Sequence, residues 1–168
     1  MKRTIDGEPC VVLRPLAQAD LNFLYKLVND QNVAHFIGAL INDRDILKSW
    51  IENLEPSDHE YVIMSDSVPV GECSLTITGD SGAIGCMIIP EYWNHGYGFS
   101  TIKKLIMLAQ ENGLKEVTAA TDEKNIASVR ILENAGFSAQ AIGWMISDEE
   151  LESMKTGRTI MTYVKRLN

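Results

Sequence analysis

Gly96 and Gly98, within Trp93-Asn94-His95-Gly96-Tyr97-Gly98-Phe99-Ser100, are the residues whose type and spacing best fit a chemical task. The run follows an apolar, strand-like segment ending at Ile88-Ile89 and leads into an amphipathic helix. The first N–H groups of a helix have no partner inside it, and the helix dipole makes that end positive. Glycines there let an anion approach the backbone closely, because no Cβ stands in the way. The expected guest is a phosphate or pyrophosphate held by backbone N–H groups from Asn94 to Ser100, with His95 placed to contact a phosphate. No Gly-Lys-Ser/Thr is present, so the run is not a triphosphate P-loop. Thr101 stands where a dinucleotide fingerprint wants its third small residue, which disfavours that reading too. Asn125 and Ser128 form a second candidate pair: at i and i+3 they share one face of a helix start. Asn125 also suits a plain helix N-cap.

The elements that must position these groups follow from periodicity. Ile102, Leu105, Ile106 and Ala109 recur at helical spacing from Thr101 to Asn112, and Gly113 supplies a stop. Glu116 to Thr121 reads as a strand, and Asn125 to Phe137 as a capped helix ending at Gly136. Upstream, Cys10 to Arg14 reads as a strand closed by Pro15. Leu21, Leu24, Leu27 and Val28 put one apolar face on a helix from Asp20 to Val28. Asp43 is the expected N-cap of a second helix carrying Ile46, Leu47, Trp50, Ile51 and Leu54. Glu60 to Ser65, Val70 to Ile77 and Ala83 to Ile89 read as three successive strands, with Pro69 and Thr78-Gly79-Asp80-Ser81-Gly82 as turns. Two more strands are expected near Ala141 to Ile146 and Thr159 to Lys165. The order is mixed α/β (α+β): helices early, an antiparallel meander, then a β-α-β-α-β half.

With these motifs in place the chain resembles the GNAT N-acetyltransferases, most of all their ribosomal-protein branch, which acetylates protein N-termini. The family's cofactor loop reads Arg/Gln-x-x-Gly-x-Gly/Ala, and Trp93-Asn94-His95-Gly96-Tyr97-Gly98 is similar to it. Asn125-x-x-Ser128 followed by Asn134-Ala135-Gly136-Phe137 matches the branch, as do Leu13-Arg14-Pro15-Leu16 with Asp20 and Asn29-Asp30-Gln31-Asn32-Val33. The resemblance implies a mostly antiparallel sheet of six to seven strands, splayed in the middle and flanked by about four helices. It implies acetyl-CoA as co-substrate, no metal, and direct attack by an amine in a ternary complex. The backbone of Met87, Ile88 and Ile89 would then bond the pantetheine arm, with an N–H near Met87 polarising the thioester oxygen. The loop residues Asn94, His95, Gly96, Tyr97, Gly98, Phe99 and Ser100 would hold the pyrophosphate. Asn125 would bond the pantetheine, and Ser128 would protonate the leaving thiolate.

The chain departs from the branch at the general base. The usual glutamate position holds Ala83, and another common acidic position holds Ser100 and Thr101. Glu72, in the strand beside the cofactor strand, is the expected substitute, and His35, in the loop between the first two helices, is the expected substrate contact. The acceptor expected is a peptide or protein N-terminal α-amine. Alternatives are a small amine such as a polyamine, aminoglycoside or amino acid, or a non-catalytic acyl-CoA-binding domain.

Composition agrees with a single domain spanning residues 1–168 and able to bury a sizeable core. The net charge of −8 disfavours nucleic acid as a partner. No apolar run approaches the roughly 18 residues of a membrane span, and Met1 to Glu8 has no signal-like apolar segment. Cys10, Cys73 and Cys86 are odd in number, widely spaced and set in apolar runs. They read as buried free thiols in a reducing cytoplasm. The chain is expected to be a monomer or homodimer.

Overall fold

A computed structural model describes residues 7–37, 41–55, 57–140 and 159–167. Among these residues seven strands form one sheet: β1 (Val12–Pro15), β2 (Asp58–Ser65), β3 (Val68–Thr78), β4 (Ser81–Ile88), β5 (Glu116–Asp122), β6 (Ser138–Ala139) and β7 (Ile160–Arg166). Their spatial order is β1-β2-β3-β4-β5-β7-β6. Neighbours are antiparallel except β4 and β5, which run parallel. Five helices accompany them among the described residues: α1 (Leu21–Val28), α2 (Gln31–Ile37), α3 (Arg44–Glu52), α4 (Tyr97–Glu111) and α5 (Ile126–Asn134).

The expected meander is present, and Pro15 is tolerated at the end of β1 because that strand is a sheet edge. The expected strand near 141–146 lies outside the described residues. Cys10 is exposed, contrary to expectation, because it precedes β1 and alternation sends Val11, not Cys10, into the core. Cys73 is buried and Cys86 largely so, and both are free. Among the described residues no helix is long and apolar enough to cross a membrane.

Side-chain alternation along β4 sorts the core into two layers. Ile84, Cys86 and Ile88 face a cluster built with Ile102, Leu105, Ile106 and Ala109 of α4 and Leu132 of α5. Met87 points the other way, against Leu24 and Val28 of α1 and Leu47 and Ile51 of α3. Each fully buried aliphatic side chain contributes roughly 1.5–3 kcal/mol, so the α4 stripe alone holds that helix firmly on the sheet.

The feature that positions a site is the opening between β4 and β5. Their pairing stops after Ser81↔Glu116, Gly82↔Val117 and Ala83↔Thr118. Beyond it β4 continues against β3 as far as Ile88, and β5 continues against β7 as far as Asp122. The two parallel strands therefore diverge toward their carboxyl ends, where α4 and α5 begin. Crevices at the carboxyl ends of diverging parallel strands are where α/β sheets take ligands.

Candidate active site

The ladder shows which β4 amides face the opening. Ile89 N–H donates to Val70 C=O at 2.9 Å, just beyond the Gly71↔Ile88 pair. Antiparallel ladders alternate between residues that bond across the pair and residues whose amides point outward. Ile89, Met87 and Gly85 therefore direct their backbone groups to β3, while Ile88, Cys86 and Ile84 direct theirs into the opening. The Ile88 carbonyl is met there by the Trp93 indole N–H at 2.7 Å. This corrects the expectation for the cofactor strand. Of Met87, Ile88 and Ile89 only Ile88 presents its backbone to the gap, and Cys86 joins it. Sequence reasoning missed this because outward parity depends on register, which no local pattern reveals.

The glycine run is also reassigned in detail. α4 begins at Tyr97, not Thr101, so Tyr97, Gly98, Phe99 and Ser100 are helical. Gly96 is the N-cap at φ +85°, in the left-handed region, following Asn94 at φ +60°. Tyr97, Gly98 and Phe99 occupy the first helical positions, whose N–H groups have no intrahelical acceptor. No acidic side chain lies in that first turn to oppose the dipole. Ser100 N–H is already bonded to Gly96 C=O at 3.0 Å and is withdrawn from any ligand. A Cβ at Gly98 would meet only Ile131 Cδ1 of α5, at 2.9 Å, the mobile end of a side chain. Tyr97 is buried, with Ser65 donating its hydroxyl to the Tyr97 oxygen at 3.4 Å. The exposed His95 donates Nδ1–H to the Trp93 carbonyl at 2.6 Å, which leaves Nε2 as its outward nitrogen.

Across the opening, Asn125 caps α5. Its side-chain oxygen accepts Ser128 N–H at 3.1 Å, while its NH2 group makes no hydrogen bond among the described residues. Capping and ligand contact are thus compatible, since they use opposite ends of one amide. The Ser128 side chain sits half-buried in that first turn.

His35 does not lie in a loop. An additional helix, α2, occupies that stretch, with Asp30 Oδ1 accepting Asn32 N–H at 2.9 Å and Val33 N–H at 3.2 Å. The sequence signal was Asp30 ahead of Gln31-Asn32-Val33, an N-cap pattern. His35 is exposed and edge-on to Phe36 at 5.0 Å, and Phe36 reaches the Trp93 ring at 6.4 Å. α2 thereby borders the mouth of the opening through Trp93.

Glu72 is 5 % exposed and directly opposite Met87, whose side chain shares its face of the sheet. Glu60, on β2 opposite Ser74, lies diagonally across from Glu72 on that same face, and the two carboxyl groups are hydrogen-bonded. Burial first, then the hydrogen bond and charge of Glu60, holds Glu72 protonated well above the usual carboxylate range. Glu60 is raised chiefly by burial, but the same hydrogen bond lowers it. The two carboxyl groups therefore share a proton, with Glu72 the more deeply buried of the pair. Sequence reasoning missed Glu60 because its diagonal neighbour is set by the β2–β3 register. Burial also pushes both the Cys73 and Cys86 thiols far up, which makes them poor nucleophiles. Among the described residues no cluster of His, Cys, Asp or Glu could hold a metal ion.

The parallel pair that parts at its carboxyl end leaves the amide edge of β4 without a strand partner beside the N-termini of α4 and α5. The family model of the acetyltransferase (GNAT) domain matches residues 11–138, and the chain belongs to that family. It is 26% identical over 97 residues to the uncharacterized N-acetyltransferase YfmK of Bacillus subtilis, a match spanning 56% of this chain and 66% of that protein. The fold is similar to that of the spermidine N-acetyltransferase from Vibrio cholerae in complex with CoA and spermine. That match has a TM-score of 0.78 and 16% identity, over 93% of this chain and 95% of the other. It is also similar to an aminoglycoside acetyltransferase in complex with coenzyme A, with a TM-score of 0.76 and 18% identity over 94% and 95% of the two chains.

Proposed function

We propose that this chain transfers an acetyl group from acetyl-CoA to a primary amine bound on the Glu72 side of the opening. The observation that supports it is the β4 amide edge from Ile84 to Ile88, left without a strand partner beside the N-termini of α4 and α5. An extended, amide-bearing pantetheine arm fits such an edge as an added strand would. When bound, acetyl-CoA supplies the activated acetyl thioester. The Ile88 and Cys86 backbones align the arm, and the free N–H groups at Tyr97, Gly98 and Phe99 hold the pyrophosphate, with Asn94, His95 and Gly96 shaping the turn. The Asn125 NH2 group donates to the arm. The Ser128 hydroxyl would pass its proton to the departing sulfur and take back the one that the amine nitrogen sheds after attack. The carboxyl pair at Glu72 receives the proton that the amine must lose. His35 contacts the acceptor from the rim.

For the acceptor we favour a small amine carrying further positive charge. A buried carboxyl pair with no Lys or Arg partner among the described residues suits a cationic guest, and polyamine and aminoglycoside acetyltransferases share the fold. The second reading, a peptide N-terminal α-amine, is supported by the Asn125-x-x-Ser128 and Gly136-Phe137 motifs. Thiol release from acetyl-CoA against polyamines, aminoglycosides, amino acids and N-terminal peptides tests both. Turnover confined to peptides would displace the first reading.

A further inference from the structure

The carboxyl pair poses a chemical problem that its geometry also solves. A neutral, buried Glu72 beside Met87 cannot act as a simple carboxylate base. It is, however, linked to Glu60, which is less buried and one strand further from the opening. The geometry points to a two-carboxyl proton relay, in which Glu72 passes the amine's proton to Glu60 and Glu60 returns it to solvent. This rests on the proposed amine site beside Glu72.

The step balances without any outside reagent. An N–H bond of the ammonium breaks as an O–H bond forms on one Glu72 oxygen. The O–H bond on the other Glu72 oxygen breaks, and its proton joins the Glu60 carboxylate. Glu72 ends as neutral as it began, Glu60 ends protonated, and the amine is left neutral with its lone pair available for attack. Rotation of the Glu72 carboxyl resets the relay once Glu60 has released its proton.

The surroundings favour this division of labour. Asp58 raises Glu60 from its own strand. Cys73 and Cys86 contribute only protonated thiols. From α1 and α3 the face receives Leu24, Val28, Leu47 and Ile51, which carry no charge. Arg14, opposite Val62 on this same face, is held by Asp20 at 2.7 Å, and among the described residues neither glutamate forms an ion pair. Two adjacent carboxyl groups in such a setting keep one proton between them.

The discriminating variant is Glu60→Gln, which keeps a hydrogen-bond partner but cannot accept a proton. The relay predicts a fall in turnover of about a hundredfold or more, across neutral pH, with unchanged acetyl-CoA affinity by calorimetry. Glu60→Asp, still able to accept, should recover part of that loss. If Glu72 instead works alone as base, removing the neighbouring charge eases its ionisation. Turnover in Glu60→Gln would then match or exceed wild type, with its acidic limb moved to lower pH, and the relay would be overturned. Infrared spectroscopy of the substrate-free protein gives an independent reading. The protonated-carboxyl band should persist at neutral pH in wild type and vanish in Glu72→Gln. Absence of that band from wild type would also overturn the relay. Full activity in Glu72→Gln would show instead that the amine site itself is misplaced.

Discussion

Replacing Glu72 by glutamine keeps the side chain's shape and removes its titration, which turns its buried proton into a measurable stability. In the native state, burial first and then Glu60 hold Glu72 protonated well above the usual carboxylate range. In the unfolded chain a glutamate titrates at about 4.3. Between those two values the native state binds a proton that the unfolded state has released, so stability falls as pH rises. The contribution is complete below about pH 4 and is lost as pH climbs through the folded value. One proton of difference corresponds to about 1.4 kcal/mol per pH unit, and that is the ceiling on the slope. Urea denaturation of wild type and Glu72→Gln, in unit steps upward from about pH 4.5, should show the difference moving toward the variant. The shift should approach the ceiling per unit and then level off. Glu60 contributes with the same sign, and the double variant with Glu60→Gln removes its share. Two parallel stability curves would refute the reasoning, because they would mean Glu72 is ionised when folded.

Asn125→Ala should lower stability by about 1 kcal/mol through loss of the α5 cap, whereas Asn125→Asp should keep the cap and lose acetyl-transfer activity, since only the free NH2 is replaced. Thermal denaturation and turnover measured on both variants separate the two roles, and full activity in Asn125→Asp would leave the residue purely structural. Arg14 donates to both Asp20 carboxylate oxygens, at 3.0 and 2.7 Å, and this hydrogen bonding first, opposed by burial, lowers the Asp20 pKa. That stability is present above about pH 4 and disappears as pH falls through the folded value, so Arg14→Met should flatten the acid limb of the stability–pH curve at a cost of about 1 kcal/mol at neutral pH.

What could be read in advance depended on how local each signal was. The α4 stripe, the Asp43 cap and the three-strand meander are written in periodicity and turn residues, and the structure places them close to expectation. Helix α2 is short, and its only mark is the Asp30 cap, so the stretch around His35 read as loop. The glycines were legible as a helix start, but the approach of Ile131 to Gly98 was not, because Ile131 lies an entire β-α unit away. Register is the deepest limit. Whether Met87 or Ile88 turns its amide to the opening, and whether Glu60 touches Glu72, is decided by the alignment of strands distant in sequence.

In the proposed reaction the β4/β5 opening seats acetyl-CoA while an amine on the Glu72 side takes the acetyl group. The reaction's most direct measurement is release of free CoA thiol from acetyl-CoA by the wild-type chain, with each amine of the panel present and absent. Thiol release should need an amine, saturate in both substrates, and collapse in Glu72→Gln while that variant still binds acetyl-CoA. Tight acetyl-CoA binding with no amine-dependent release on any acceptor would contradict it and make this chain an acyl-CoA-binding domain instead.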